Sequence, residues 1–294
     1  MEEQKVALGV IGLGLIGGSA ALSLRERGFC NTIYGYEINK NHGVEAQFHN
    51  IVDELLDLDG VIERSNVIIL AVPVNVAREQ LIKILDKVAP TTTVLDFGST
   101  KKGICEAVAN HKNRAQYVAC HPIAGTENSG PEAAFPELYD GKVNIICDGE
   151  LSSKEAMVVA KRLFETMNMK IKFMDSIEHD RHIAYVSHLS HISAFTLGQT
   201  VLEVEKDEKN IFNMAGSGFA STVRLAKSAP SMWAPIFEQN SDNLSEVLGA
   251  YIKNLQEFKV LIDNGDTDKL YALMSKVNDI RRILDGNKLT QKEL

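Results

Sequence analysis

The chain has 294 residues, enough for about two domains at roughly 100–200 residues each. Apolar residues make up 45% and charged residues 24%, so a sizeable core is available. Lys plus Arg (31) against Asp plus Glu (39) gives a net charge of -8, which argues against a protein that holds nucleic acid on a basic face. An anionic small molecule is not excluded, because one or two placed cations serve it. The longest apolar run, residues 67–74, is far short of the ~20 needed to span a bilayer. The charged N-terminus, Met-Glu-Glu-Gln-Lys, has no apolar signal segment behind it. The expectation is a cytoplasmic protein with no membrane and no nucleic-acid partner.

Along the first half, short apolar runs alternate with helical patterns. Strands are expected over 6–11, 32–36, 67–72, 93–96, 116–120, 143–147 and 171–174, with helices over 15–27, 76–88 and 153–167 among those between them. That alternation predicts an α/β fold with a doubly wound, mostly parallel Rossmann-type sheet. Past residue 175 the strand-like runs stop. Long stretches such as 176–205 and 240–263 carry apolar residues at three- and four-residue spacing, so residues 176–294 are expected to form an all-helical domain after a dinucleotide-binding domain over 1–175. Cys30, Cys105, Cys120 and Cys147 are widely spaced, and neither a disulfide framework nor a cysteine metal site is expected.

Gly12-Leu13-Gly14-Leu15-Ile16-Gly17 follows the first apolar strand and opens a helical pattern. Gly12 permits the tight turn, Gly14 lets backbone approach a pyrophosphate, and Gly17 lets helix and strand pack closely. The helix N-terminus at Leu15 and Ile16 then offers unpaired N–H groups to the phosphates. Glu37 falls 20 residues after Gly17, where a carboxylate accepts from both ribose hydroxyls and repels a 2′-phosphate. NAD is therefore favoured over NADP, although Lys40 blunts the repulsion. Val72 and Pro73 end the third predicted strand at the edge where such sheets bind ligands, and Pro73 also suits a helix start.

The next two strands run into Ser99-Thr100-Lys101 and into His121-Pro122-Ile123-Ala124-Gly125-Thr126-Glu127. His121 stands where a neutral imidazole can take a proton from a hydroxyl as hydride leaves the same carbon. A capping or core histidine is the plain alternative. Ser99 suits either a hydrogen bond to that hydroxyl, orientation of the ring, or simply a helix N-cap. In the helical half, His188 and His191 lie at i and i+3 on one helix face. They do not complete a metal-ligand set, so no metal is expected. His179, Asp180, Arg181 and His182 read most simply as a solvated helix start, although Asp180, eight residues before His188, is spaced to face the same cleft. Ser217, in the turn Gly216-Ser217-Gly218-Phe219, and Arg224 about two turns on suit a carboxylate, the arginine as a bidentate fork. Arg224 also fits a plain surface position, and Trp233 fits a core anchor.

These blocks in this order resemble the prephenate dehydrogenase family, which includes arogenate dehydrogenases, over nearly the whole chain. The resemblance implies NAD(P)-dependent oxidative decarboxylation of prephenate to 4-hydroxyphenylpyruvate in tyrosine biosynthesis, by a homodimer made through the helical domain. It implies His121 as catalytic base, Ser99 on the substrate hydroxyl, and His191 and Arg224 at the far, carboxylate end. Asp180 matches an acid that pairs with the arginine, Glu127 an acid beside the site, and Trp233 a residue brought near the site by the partner subunit. His188, Glu127, Trp233 and Ser217 complete the expected substrate contacts. Ala220-Ser221 stand where many relatives carry a basic residue and Asp, which leaves prephenate and arogenate both open. Rival functions are a β-hydroxyacid-type dehydrogenase, which usually needs a lysine absent from 187–200, and a non-catalytic dinucleotide sensor. The two expected domains fill the 294 residues, so no fused chorismate mutase or regulatory domain is expected.

Overall fold

The computed structural model describes residues 6–205 and 211–284. By compactness the chain divides into two units, Met1–Leu244 and Ser245–Leu294.

The first unit is built on one eight-stranded sheet. Its strands are β1 (Ala7–Ile11), β2 (Thr32–Tyr36), β3 (Glu54–Leu55), β4 (Val67–Leu70), β5 (Thr93–Asp96), β6 (Tyr117–Pro122), β7 (Val143–Cys147) and β8 (Lys170–Met174), in the spatial order 3-2-1-4-5-6-7-8. The first six are parallel in the doubly wound order 3-2-1-4-5-6. Helices α1 (Leu15–Glu26), α2 (Lys40–Phe48), α3 (Leu58–Arg64), α4 (Val74–Lys87), α5 (Lys102–Val108) and α6 (Lys154–Thr166) cover both faces. Two buried apolar layers result. One holds Leu8, Val10 and Ile69 with Leu24, Leu163 and Phe164; the other holds Ile11, Ile68 and Val94 with Leu81, Ile84 and Ile104. Burial on both faces explains why strands such as Val-Ile-Ile-Leu of β4 read as unbroken apolar runs.

β7 runs antiparallel to β6, in register His121 opposite Ile145 and Pro122 opposite Asn144. The connection between them carries only short 3₁₀ turns, and a parallel return needs a crossover of the helical kind. That connection instead lies on α1, with the Tyr139 hydroxyl donating to the Ile16 carbonyl at 2.6 Å and Phe135 N–H donating to Ser19 Oγ at 3.0 Å. The thirteen-residue α6 does supply a crossover, and β8 is parallel to β7. The two-residue β3 is an edge strand too short for any period to register in the sequence.

Beyond β8 the described residues are helical: α7 (Ser176–Ile183), a π-helical turn over Ala184–His188, α8 (Leu189–Glu205), α9 (Ser217–Val223), α10 (Pro230–Gln239) and α11 (Ser241–Asp263), which runs into the second unit. That unit also has α12 (Thr267–Val277) and α13 (Ile280–Leu284). Its side chains Leu255, Val260, Ile262, Tyr271, Met274, Val277 and Ile280 are exposed. No described helix is long and apolar enough to cross a membrane.

Candidate active site

The glycine turn sits between β1 and α1. Gly12 has φ +93°, the left-handed region, and a Cβ there would lie 2.5 Å from the Ala71 carbonyl oxygen. The turn is thereby held against the end of β4 and its successors Ala71 and Val72, while Pro73 caps α4. A Cβ on Gly17 would lie 2.0 Å from the Gly12 carbonyl oxygen, so only glycine lets α1 begin this close to its strand. Gly14 differs: nothing lies within 4 Å of the position its Cβ would take. No side chain caps α1, so the N–H groups of its first turn, at Leu15, Ile16 and Gly17, are left to a ligand. Glu37 accepts from Leu13 N–H at 2.8 Å and from Asn39 N–H at 2.9 Å, one on each oxygen. Each oxygen keeps a lone pair for a ribose hydroxyl. These residues fit a dinucleotide.

His121 lies near the carboxyl end of β6 and keeps 8% of its surface exposed. Its Nδ1 is 2.8 Å from Nε2 of His179, whose Nδ1 is 2.8 Å from Oδ1 of Asp180. His179 and Asp180, at 2% and 3% exposed, are buried on the inner face of α7. The solvated helix start expected for this cluster holds only for Arg181 and His182, which are exposed. The missed signal was periodicity: Ser176, His179, Asp180, Ile183 and Ala184 form one buried stripe, with polar residues among the apolar ones.

Asp180 also caps α5 across the fold, accepting from Lys101 N–H at 2.7 Å and from Lys102 N–H at 2.9 Å. The local N-cap that was the alternative reading of Ser99 is therefore not formed; Thr100 donates instead to Gln239 at 2.7 Å. Ser99 is half-buried in the loop after β5, and His179 rather than Ser99 holds the His121 ring. Beneath the site Lys101 is fully buried, ion-paired to Asp96 and donating to the Cys120 carbonyl at 2.8 Å. Burial opposes its charge, but Asp96 outweighs this and raises its pKa. Burial, then His179, Lys101 and His188, push the His121 pKa well below the usual histidine value, so its resting form is neutral.

His188 is fully buried; its Nδ1 is 3.1 Å from Asn240 Nδ2, which also donates to the Asp180 carbonyl at 2.7 Å. Its Nε2 has no hydrogen-bond partner, and burial lowers its pKa to about 4. His191 is half-buried, donates from Nδ1 to the Ser187 carbonyl at 3.0 Å, and stacks on Trp233 with centroids 3.4 Å apart and planes at 24°. Of the two histidines, His191 is the accessible one. Burial lowers its pKa too, so a neutral His191 supplies no standing positive charge. Trp233 is buried against His191 and His188 of its own chain.

Arg224 is exposed and pairs with Glu127 at 3.0 Å. A bond from the backbone, then Arg224, lowers the Glu127 pKa. Asp180 is committed to His179 and to α5, so the arginine's acid here is Glu127, not the Asp180 that the resemblance implied. Ser217 is exposed in the first turn of α9, with Gly216 as the cap residue. Among the described residues no cluster of acidic, histidine or cysteine side chains could hold a metal.

Residues 20–173 match the family model described as "Prephenate dehydrogenase, nucleotide-binding domain". Residues 175–276 match the model described as "Prephenate dehydrogenase, dimerization domain". The chain belongs to the prephenate dehydrogenase family. Within it, the chain is similar to the prephenate dehydrogenase of Bacillus subtilis (strain 168), at 30% identity over 99% of this chain and 79% of that protein. It is also similar to the cyclohexadienyl dehydrogenase of Zymomonas mobilis, at 28% identity over 90% of each chain. Among solved structures, prephenate dehydrogenase from A. aeolicus in complex with hydroxyphenyl propionate and NAD+ superposes with a TM-score of 0.87 at 32% identity, covering 97% of this chain and all of that one. Synechocystis arogenate dehydrogenase gives 0.74 at 26% identity, covering 95% and 99%. Family membership makes this chain an oxidoreductase with a nucleotide-binding domain.

Proposed function

We propose that the chain is an NAD-dependent prephenate dehydrogenase, converting prephenate to 4-hydroxyphenylpyruvate and CO2. The observation that carries this is His121: a neutral imidazole at the carboxyl edge of a dinucleotide-binding sheet, with Nδ1 held and Nε2 left for substrate. Support for NAD comes from the open space over Gly14, from Glu37, and from the NAD+ in the related A. aeolicus structure. Bound NAD supplies the hydride acceptor. The chain's own residues do the rest. His121 Nε2 takes the ring hydroxyl proton as the C–H bond at the same carbon breaks. The ring carboxylate leaves as CO2, its electron pair enters the ring, and His121 returns the proton to the new phenolate oxygen. Aromatisation makes the sequence downhill, so orientation and charge neutralisation are what the protein must add. Arg224 is the cation offered to a substrate carboxylate. His191 is assigned to the substrate's far end with Trp233 behind it, Ser99 to the hydroxyl, and His188, Glu127 and Ser217 to the surrounding wall.

Arogenate is the second substrate considered. A neutral His191 that donates from Nδ1 presents a lone pair on Nε2, which suits an ammonium donor better than a carboxylate. We further infer a nucleotide domain over 1–175 and a helical substrate and dimerisation domain over 176–294. The end of β8 at Met174 and the adjoining family-model matches support that division. A homodimer through the helical part is supported by the dimerization-domain match and the exposed apolar side chains of α11–α13. A cytoplasmic location completes the proposal, supported by four free thiols. The test is a panel of prephenate and arogenate with NAD and NADP, followed by the absorbance of the reduced cofactor. Turnover of prephenate with NAD is expected to be fastest; no turnover in any combination overturns the enzyme assignment.

A further inference from the structure

The chain of contacts Asp180–His179–His121 assigns protons as well as positions. Both Asp180 oxygens accept backbone N–H groups of α5, so each presents lone pairs to its neighbours. At 2.8 Å from Oδ1, His179 Nδ1 must therefore be the donor. A His179 that carries one proton, on Nδ1, then has its lone pair on Nε2, which faces Nδ1 of His121 at 2.8 Å. Two lone pairs do not meet at that distance, so His121 carries its proton on Nδ1 and its lone pair on Nε2. Catalysis by His121 as a base requires that tautomer. The rings meet edge to face, 5.0 Å between centroids and 63° between planes, which suits one N–H aimed at one in-plane lone pair.

We propose that His179, backed by Asp180, is a positioning residue that fixes the base-competent tautomer of His121 and accepts a hydrogen bond from its imidazolium when the substrate proton arrives. A buried carboxylate behind a catalytic histidine does this directly in hydrolase triads. Here a second imidazole stands between them, and the carboxylate also caps α5. The inference rests on His121 being the base. It accounts for two buried titratable side chains that the proposed reaction does not otherwise use. The other charged or titratable groups around His121 are Lys101 below it and His188 on the following helical turn, both of which oppose a cation on His121.

Selective 15N-histidine NMR of the intact protein, with His121→Asn to assign the signal, reads the tautomer without any activity. Expected for His121 is a protonated Nδ1 and a bare Nε2, lost to a mixture in His179→Ala. In steady-state kinetics His179→Ala is expected to lower kcat about 100-fold with KM within about threefold of wild type. His179→Gln, whose amide oxygen can accept from His121 Nδ1, is expected to recover at least about tenfold of that loss. Asp180→Asn removes the carboxylate behind His179 and should lower kcat without altering NAD affinity. Melting temperature and NAD affinity report whether each variant is folded. A His121 protonated on Nε2 in the wild type, or a tautomer unchanged in a folded His179→Ala, overturns the proposal. Should His121→Asn keep kcat within about tenfold, the base assignment itself fails, whatever the tautomer.

Discussion

Arg224 and Glu127 sit 3.0 Å apart, and the arginine is half exposed, so water and salt screen the pair. Such a pair exchanges partners readily, and an incoming carboxylate can displace Glu127 from the guanidinium. Arg224→Ala is therefore expected to raise KM for prephenate about 10-fold or more while kcat moves less; an unchanged KM removes Arg224 from the site. At the pH scale of a single residue, the depressed pKa of His121 keeps the base neutral below the usual histidine value of ~6.5. The acid limb of the kcat profile should accordingly lie below that value, and a limb at or above it would show that another group sets the profile. Gly12, Glu37 and His121 were legible in the sequence because the chemistry of each is announced by its local neighbours. His179 was not, since its neighbours Arg181 and His182 are solvated and only the packing of α7 turns it inward.

The first strand–turn–helix separates two uses of glycine. Gly14→Ala meets open space, so the melting temperature should stay within about 2 °C of wild type while NAD affinity falls at least about tenfold. Gly17→Ala meets backbone at 2.0 Å, and here both melting temperature and NAD affinity should fall. A Gly14→Ala protein that binds NAD normally would displace the pyrophosphate from this turn. The sequence periods located β2, β5 and β7 to the residue; β5 and β7 are buried runs that end abruptly, and β2 alternates half-buried with buried positions. They missed the reversed direction of β7, which follows from the connection before it. The N-cap reading of Ser99, one of its alternatives, is not met, because Asp180 reaches the first-turn N–H groups of α5 from α7.

For the whole molecule, burial of neutral histidines sets the acid side of stability. His188 titrates at about 4 in the folded chain and near ~6.5 when unfolded. Its folded pKa is the lower, so the unfolded state gains the proton first and stability falls as pH drops from about 6.5 toward about 4. The contribution is at most about 3 kcal/mol, and His121 acts in the same direction. Melting temperature should fall over that interval, less steeply in His188→Gln than in wild type; equal slopes would discount His188. In the second unit, Ile262, Tyr271 and Val277 are exposed apolar side chains of helices with no other layer described over them. Sedimentation is expected to give the mass of two chains, and Ile262→Glu should shift it toward one. A wild-type monomer at micromolar concentration would overturn the dimer.

The amino-acid sequence by itself determined the element types, the dinucleotide turn and the candidacy of His121 and Arg224. Each depends on residues close together in the chain, where hydrophobic period, glycine geometry and side-chain chemistry act locally. The tertiary structure decided which acid meets which base. Asp180 faces His179 and α5, 79 residues back, while Glu127 takes Arg224, 97 residues on. Charge pairing at such separations is set by which faces the core forces together. The same packing made a solvated-looking His-Asp pair into the buried support of His121.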